Sequence, residues 1–326
     1  MSDTTLSGER NCLIGHTGFV GGTLTRQTSF AAQFNSRTIS GIGGQGFDTV
    51  VCAAAPGSMF EANKFPERDE AQIQALIERL SAVEAKRFVL ISSIAVLADF
   101  AGGDDETTTA FQDKLAYGRH RRALEAFVED RFADSLVVRL PALFGHGLRK
   151  NFIFDLLNPV PSMLTEAKLA DLSAALDDGL AAWLKTLYAP DPVTGMVKVD
   201  RTKLDSDPRR AALEEAVTDL GFSATQFHNP ETTYQYYDMS RLWSDIGTAS
   251  AAGLSHIHLV SEPLRAARIH ERLTGRAMPD TGARLHHEDM QTRHAGLWGR
   301  TGRYLDDADS VLDRLAGFFA AERQPS

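Results

Sequence analysis

A glycine-rich segment near the start of the chain limits the possible folds more than any other feature. Gly15, Gly18 and Gly21 follow the apolar run Cys12-Leu13-Ile14 with the spacing Gly-x-x-Gly-x-x-Gly. A strand, a tight turn and a helix N-terminus with this spacing form a site for a dinucleotide pyrophosphate, because glycines permit the turn, the approach of phosphate and close helix packing. The free N–H groups and the helix dipole then face the anion. The triplet alone is also compatible with an ordinary turn, so its meaning depends on the rest of the chain.

Composition excludes several classes of protein. The chain has 326 residues, of which 43% are hydrophobic, and a net charge of −9. This length suffices for one large α/β domain or two lobes with their own cores, and the acidic balance argues against nucleic acid as a partner. No apolar run reaches the about 18 residues that span a bilayer. Residues 1–10 are polar and lack the apolar core of a secretion signal.

The two cysteines indicate a reducing compartment. Cys12 and Cys52 both lie in predicted central strands, where a thiol behaves as a small hydrophobic group. We therefore predict reduced cysteines and a cytoplasmic protein.

Strands and helices alternate along the first half of the chain. This pattern predicts the α/β class, with a doubly wound Rossmann-type parallel sheet and a smaller, mostly helical C-terminal substrate lobe. Residues 1–150, with about 232–262 and a helix over 306–322, are predicted to form the dinucleotide-binding domain, and 151–231 and 263–305 the substrate lobe. The segment between the second strand and the strand at Phe47 is shorter than the dozen or more residues of an ordinary crossover, so the full strand and helix that usually stand there should be missing or vestigial. Thr165 to Leu187 is predicted to form one long helix.

Three side chains suggest acid–base chemistry. Ser92-Ser93 ends a predicted central strand, and Tyr117 follows at the start of the next helix. Arg121 lies one turn beyond Tyr117 on the same helix face. A nearby cation lowers the pKa of a tyrosine, which can then act as a general acid or base while a serine hydroxyl holds the reacting oxygen. The alternative is that Tyr117 is an ordinary half-buried helix residue.

Together these motifs resemble the extended short-chain dehydrogenase/reductase superfamily, in its NAD(P)-dependent epimerase/dehydratase branch of sugar-nucleotide type. The resemblance is carried by Gly15 to Gly21, Asp48 to Ala55, Ser92-Ser93, Tyr117-x-x-x-Arg121 and Arg139 to Gly147. It covers about Asn11 to Lys150 well and Tyr234 to Thr274 loosely.

The resemblance implies roles for individual residues. Tyr117 would be the acid/base, with Ser93 and Arg121 completing the catalytic group. The implied cofactor contacts are Gly15, Thr17, Gly18, Phe19, Val20, Ala53, Ala54, Ala55, Pro141, Leu143 and Phe144. Weaker candidates for substrate contact are Ser92, Arg149, Lys150, Asn151 and Arg284. For Arg149 and Lys150, a solvated basic pair is an equally good interpretation. For Arg284, an exposed surface arginine is the favoured interpretation.

The end of the second strand bears on the choice of cofactor. An NAD site usually has a carboxylate there for the ribose diol, whereas this chain has Asn35-Ser36-Arg37. Ser36 and Arg37 suit a 2′-phosphate, with the arginine as a charged fork. NADP is therefore favoured over NAD.

Arg121 is the main departure from the family, which has lysine at this position. A guanidinium keeps the positive charge but cannot copy the bonds of an ammonium to the ribose. Three hypotheses follow: an oxidoreductase or epimerase acting on a nucleotide sugar, a non-catalytic NAD(P)-binding sensor or scaffold, and a reductase of a small non-nucleotide substrate. No metal is expected. The resemblance also suggests a homodimer formed through a bundle of the helices that begin near Glu67 and Phe111.

Overall fold

The computed structural model describes residues 10–324 and divides the chain into two compact units. The first unit holds the chain up to Leu148, Thr233–Leu264 and His287–Leu315. The second unit holds Arg149–Thr232, Arg265–His286 and the chain from Ala316 onward. Residues 1–10 were expected to lack a secretion signal, and all of them except Arg10 lie outside the described residues.

A six-stranded parallel sheet forms the centre of the first unit. Its strands are β1 (Asn11–Ile14), β2 (Ala32–Phe34), β3 (Gly46–Cys52), β4 (Glu84–Ser93), β5 (Ser135–Leu140) and β12 (His256–His258). Their order in the sheet is β12-β5-β4-β3-β1-β2. Short strands β6 (Ala142–Phe144) and β11 (Tyr236–Asp238) form a parallel pair, and β10 (Thr233–Tyr234) pairs with β13 (Leu264–Arg265). The helices of this unit are α1 (Phe19–Gln27), α2 (Met59–Lys64), α3 (Pro66–Leu80), α4 (Ala116–Arg131) and α10 (Leu242–Ala251).

Alternate residues of the central strands belong to two separate hydrophobic cores, one on each face of the sheet. Leu13 and Val51 pack on the face that also holds Leu24 of α1 and Ile246 of α10. On the other face, the residues next to them in the strands pack with the apolar stripes of α3 and α4; this core includes Cys12, Val50, Ile73, Leu76, Leu124 and Val128. Since both faces are covered, the strands are apolar almost throughout. The predicted doubly wound α/β sheet is thereby confirmed.

The sheet ends early on the β2 side. Between β2 and β3 the described chain forms a single 3-10 turn over Ile39–Gly41 and no strand. The prediction that a further strand and helix are missing or vestigial between β2 and β3 is therefore correct.

The second unit is built from short helices around its own apolar core. Its elements are α5 (Phe152–Leu157), β7 (Met163–Leu164), α6 (Glu166–Ala175), α7 (Asp178–Leu187), β8 (Tyr188–Asp191), β9 (Met196–Val199), α8 (Arg201–Asp205), α9 (Arg210–Asp219) and α11 (Ala266–Thr274). Strands β7, β9 and β8 form an antiparallel sheet that the sequence analysis did not predict. The core includes Leu172, Trp183, Leu184, Val197 and Leu213.

Two expectations about chain organisation differ from the structure. The single helix predicted over Thr165 to Leu187 is wrong, because Asp177 caps a new helix by accepting a hydrogen bond from the Leu180 N–H at 2.9 Å. Residues 287–305, expected in the substrate lobe, fall in the first unit. They are held there by buried Gln235, whose side chain exchanges hydrogen bonds of 2.7 Å with the backbone of Met290. The final helix, α12 (Ala308–Glu322), contains the division, which follows Leu315.

Both cysteines are buried free thiols in adjacent strands. Burial raises the pKa of Cys12 to about 12 and that of Cys52 to about 11, so both are protonated at neutral pH. No helix within residues 10–324 combines the length and apolar character needed to cross a membrane.

Candidate active site

The glycine turn packs too closely for any side chain at two of its three glycines. Gly15 has a φ of +93°, and a Cβ there would lie 2.6 Å from the carbonyl oxygen of Ala53. A Cβ on Gly21 would lie 2.1 Å from the carbonyl oxygen of Gly15. Gly15 thus lets the turn after β1 pass the end of β3, and Gly21 lets α1 pack on that turn.

The third glycine faces open space at the start of α1. A Cβ on Gly18 would have a single neighbour within 4 Å, the Gly15 carbonyl oxygen at 3.5 Å. Gly18 is also the N-cap residue, and no side chain caps this nine-residue helix. A pyrophosphate therefore fits against the N-terminal N–H groups of α1, and Thr17, Phe19 and Val20 belong to the same turn and helix start.

The end of β2 forms a local turn beside this site. The Asn35 side chain accepts a hydrogen bond of 2.9 Å from the Arg37 N–H, while Ser36 and Arg37 are exposed. His16, in the glycine turn, contacts the Phe34 carbonyl oxygen through Nδ1 at 3.0 Å. The carbonyl can only accept, so Nδ1 carries the proton.

Three contacts bring Tyr117 to the end of β4. Its N–H donates to the Asn63 side chain at 2.9 Å, and the Gln112 side chain accepts from Lys114 and Leu115 just before the helix. A Cβ on Gly118 would lie 2.1 Å from the Ala95 carbonyl oxygen, so glycine allows α4 to approach the turn that follows Ser93. The Ser93 hydroxyl then lies near the Tyr117 phenol and lowers its pKa. The predicted serine–tyrosine pair is brought together.

Arg121 lies against the Tyr117 ring but is bound elsewhere. Its guanidinium carbon is 4.1 Å from the centroid of the ring. Nη1 donates to the carboxylate of Asp69, and Nη2 donates to the carbonyl oxygen of Pro56. Arg121 and Asp69 are 3% and 4% exposed. No sequence motif pointed to Asp69; its one signal was an acidic residue on the otherwise apolar face of α3.

The environment of Tyr117 opposes its ionisation. Burial raises the pKa of the phenol, and the Asp69 carboxylate raises it further. The charge of Arg121 and the nearby Ser93 hydroxyl lower the pKa, but the net direction is upward. The expectation of a lowered tyrosine pKa is thus wrong for this structure, because a paired arginine does not outweigh burial.

The other predicted cofactor contacts vary in accessibility. Ala53, Ala54 and Ala55 are half-buried beside the glycine turn, and Pro141 and Leu143 are half-buried after β5. Phe144 is 2% exposed and packs edge-on against Tyr236, with ring centroids 6.5 Å apart. Its side chain belongs to the core, and we withdraw it as a cofactor contact.

Ser92 belongs to a buried ionic network and not to the substrate site. Its hydroxyl donates to Glu125 at 2.6 Å, and Arg139 donates two hydrogen bonds to the same carboxylate at 3.0 and 2.8 Å. Arg139 also donates to His258 at 3.2 Å. Burial and the nearby Arg139 lower the pKa of His258, which therefore accepts as a neutral imidazole.

This network predicts a large loss of stability in Glu125→Gln. The change leaves the guanidinium of Arg139 buried without a counter-charge, which should cost about 3–5 kcal/mol of the free energy of unfolding. Asp130→Asn makes the same chemical change at an exposed position of the same helix and should cost less than about 0.5 kcal/mol. Urea unfolding of the two variants gives the comparison. Equal losses would show that the buried pair is not the cause.

The four weaker substrate candidates other than Ser92 lie in the second unit. Arg149, Lys150 and Arg284 are exposed. Asn151 has a φ of +110° and caps α5, since its side chain accepts from the N–H groups of Ile153 and Phe154. Among residues 10–324, no group of three or more histidine, cysteine, aspartate or glutamate side chains is arranged to hold a metal ion.

Comparison with known sequences identifies the family. The sequence profile of the NAD dependent epimerase/dehydratase family matches residues 34–209, which is more than half of the chain. The chain belongs to this family. The match begins after the glycine turn, so the geometry of that turn is an independent observation. No curated protein sequence matches the chain.

Solved structures with the same fold include sugar-nucleotide enzymes. The dTDP-4-dehydrorhamnose reductase from Yersinia enterocolitica is 12% identical, with a TM-score of 0.60 over 95% of this chain and 99% of that one. A UDP-N-acetylglucosamine 4-epimerase from Methanobrevibacter ruminantium M1 is 10% identical, with a TM-score of 0.60 over 95% and 97%. The dTDP-4-dehydrorhamnose reductase from Bacillus anthracis, solved with NADP, is 12% identical, with a TM-score of 0.58 over 96% and 98%. At these identities the likeness establishes the fold.

Proposed function

We propose that this protein is an NAD(P)-dependent oxidoreductase or epimerase that acts at a carbinol or keto carbon of a nucleotide sugar. The observation that carries the proposal is the close approach of the Tyr117 helix to the turn that follows Ser93, at the carboxyl end of β4 and in the same sheet as the glycine turn after β1. In a doubly wound sheet, ligands bind at the carboxyl ends of the strands. Family membership supports the nicotinamide cofactor, and sugar-nucleotide enzymes among the structures of the same fold suggest the substrate class.

In this proposal the nicotinamide supplies the hydride acceptor or donor, and the protein handles the proton. The Tyr117 hydroxyl gives a proton to the substrate oxygen during reduction and takes one during oxidation. Ser93 holds the same oxygen through its hydroxyl. Residues at the glycine turn and at Ala53 to Ala55 would hold the cofactor, and Pro141 and Leu143 would lie beside its nicotinamide.

The first experiment is to denature freshly purified protein and identify the released nucleotide by mass spectrometry. Bound NADP or NAD, together with turnover of at least one member of a panel of sugar nucleotides, would support the proposal. A protein that carries no nicotinamide nucleotide and binds neither NAD nor NADP in titrations would contradict it.

A second candidate function is nicotinamide nucleotide binding without turnover. One observation favours it: the two terminal nitrogens of Arg121 are bound to Asp69 and Pro56. Tight cofactor binding with no oxidation or reduction across the panel would select this function over the first.

We further propose NADP as the preferred cofactor, on the basis of Arg37. Its exposed guanidinium, at the end of β2, suits a 2′-phosphate and has no equivalent use with NAD. Arg37→Ala should weaken NADP binding at least about tenfold, the value of one charged hydrogen bond, and leave NAD binding unchanged. Arg68→Ala, an exposed arginine on α3, is the control. Equal weakening for both cofactors would refute the role of Arg37.

A further inference from the structure

We propose that Asp69 is a positioning residue of the candidate site: it holds Arg121 across the Tyr117 ring and against Pro56, and so ties the tyrosine helix to the loop that follows β3. The inference rests on the proposed function, because it assigns a role at the same site. It concerns α3, an element to which the sequence motifs of the site do not extend.

Asp69 is buried and shared between two donors. Arg121 and His120 both bond to its Oδ2, the histidine through Nδ1 at 2.8 Å. All three side chains are about nine-tenths or more buried. A carboxylate removed from water is costly unless it is paired, so Asp69 fixes the place of the guanidinium as firmly as the guanidinium fixes Asp69.

A second hydrogen bond of Arg121 links the Asp69–Arg121 pair to the loop that follows β3. Nη2 donates to the Pro56 carbonyl, at the end of the loop that begins at Ala53. Ala53 in turn donates its N–H to Ile14 at 2.8 Å, directly before the glycine turn. Arg121 therefore bridges the Tyr117 helix and a loop that packs against the proposed cofactor site.

A lysine cannot make this bridge in the same way. The planar guanidinium presents separate nitrogens to the Asp69 carboxylate and the Pro56 carbonyl while it stacks on the Tyr117 ring, whereas an ammonium is a point charge on a flexible stem. With both terminal nitrogens bound to protein, Arg121 acts on the cofactor through the loop. The positive charge of Arg121 lowers the pKa of Tyr117, and the negative charge of Asp69 raises it.

Two measurements that need no turnover test the inference in the full-length protein. The first is the ionisation of Tyr117, followed by NMR in protein with labelled tyrosine rings and assigned with Tyr117→Phe. The second is the Kd for NADPH, followed by fluorescence. Asp69→Asn should lower the pKa of Tyr117, because a negative charge is removed, and should weaken NADPH binding about fivefold, because the loop loses its bridge.

Three further variants make the result decisive. Glu70→Gln, the same change at the exposed neighbour, should leave both readouts unchanged. His120→Gln removes the imidazole that contacts Asp69, and so measures how much this contact contributes to the two readouts. Asp69→Asn should weaken NADPH binding little further in an Arg121→Gln background, since Asp69 acts on the loop through the arginine. Equal effects on the Kd for NADPH with and without Arg121 would overturn the proposal.

Arg121→Lys replaces Asp69→Asn as the test if that variant does not fold. It keeps both the positive charge at position 121 and the negative charge of Asp69. The inference predicts weaker NADPH binding in this variant, since the bridge to Pro56 is lost. Unchanged or tighter binding would overturn it. If no nicotinamide nucleotide binds at all, the proposed function fails, while the Tyr117 titration still tests Asp69.

Discussion

A Tyr117→Phe variant is expected to lose about 10²- to 10⁴-fold in kcat, the usual contribution of a positioned acid or base. The change removes one hydroxyl and keeps the ring, which lies 4.1 Å from the Arg121 guanidinium carbon. Packing at the site should survive, so the Kd for the cofactor should change by less than about twofold. Steady-state kinetics with the nucleotide sugar identified in the panel, together with cofactor titration, would measure both quantities.

The role of Tyr117 as acid or base also predicts how the rates of reduction and oxidation change with pH. The pKa of Tyr117 lies above its usual value, so the phenol is protonated throughout the neutral range. Reduction, which needs the acid, should therefore persist through neutral pH and fall as pH rises through that pKa. Oxidation, which needs the base, should rise over the same interval.

The control for Tyr117 is Tyr304→Phe. It removes a hydroxyl that donates to Asp289 at 2.6 Å, outside the proposed site. This variant should keep its kcat within about twofold, since general acid–base catalysis is not involved. If Tyr117→Phe behaved in the same way, another group would have to be the acid or base.

Gly21→Ala is expected to abolish cofactor binding and to destabilise the fold. The new Cβ would lie 2.1 Å from the Gly15 carbonyl oxygen, a backbone atom that cannot move away without displacing the turn. We expect a loss at the upper end of the about 1–3 kcal/mol that overpacking usually costs. Urea unfolding and cofactor titration would measure the two effects.

Gly22→Ala is a matched control on the same helix. A Cβ there would have its closest neighbour, the His16 carbonyl oxygen, at an ordinary contact distance of 3.7 Å. Stability should be unchanged or gain up to about 1 kcal/mol, because alanine is the better helix former. If both variants bound cofactor normally, close packing of α1 on the glycine turn would not be needed for the site.

Local sequence pattern was enough to predict the parallel sheet and to select Ser93 and Tyr117 as candidate site residues. Apolar runs such as that around Val50 predicted buried parallel strands, and the order of glycine turn, serine and tyrosine along the chain predicted which strand ends carry polar groups. These signals are short-range, since they depend on the period of a strand or helix and on the steric freedom of glycine.

The second unit was harder to predict for the same reason. Leu169 to Leu184 keep a helical period, so the break at Asp177 was not visible in the apolar pattern, although a capping aspartate marks it. The strands β8 and β9 are four residues each and pair with each other across a turn. Elements this short draw their stability from tertiary packing more than from their own sequence.

The sequence by itself determined the family, the Rossmann-type sheet, and the presence of Ser93, Tyr117 and Arg121 in one candidate site. It left open how an arginine behaves where the family has lysine, because that depends on charges brought from elsewhere in the chain. Only the tertiary structure placed Asp69 beside Arg121, through the packing of α3 on α4. Burial of Tyr117 itself, with a smaller contribution from the Asp69 charge, sets the direction of the Tyr117 pKa against the charge of Arg121.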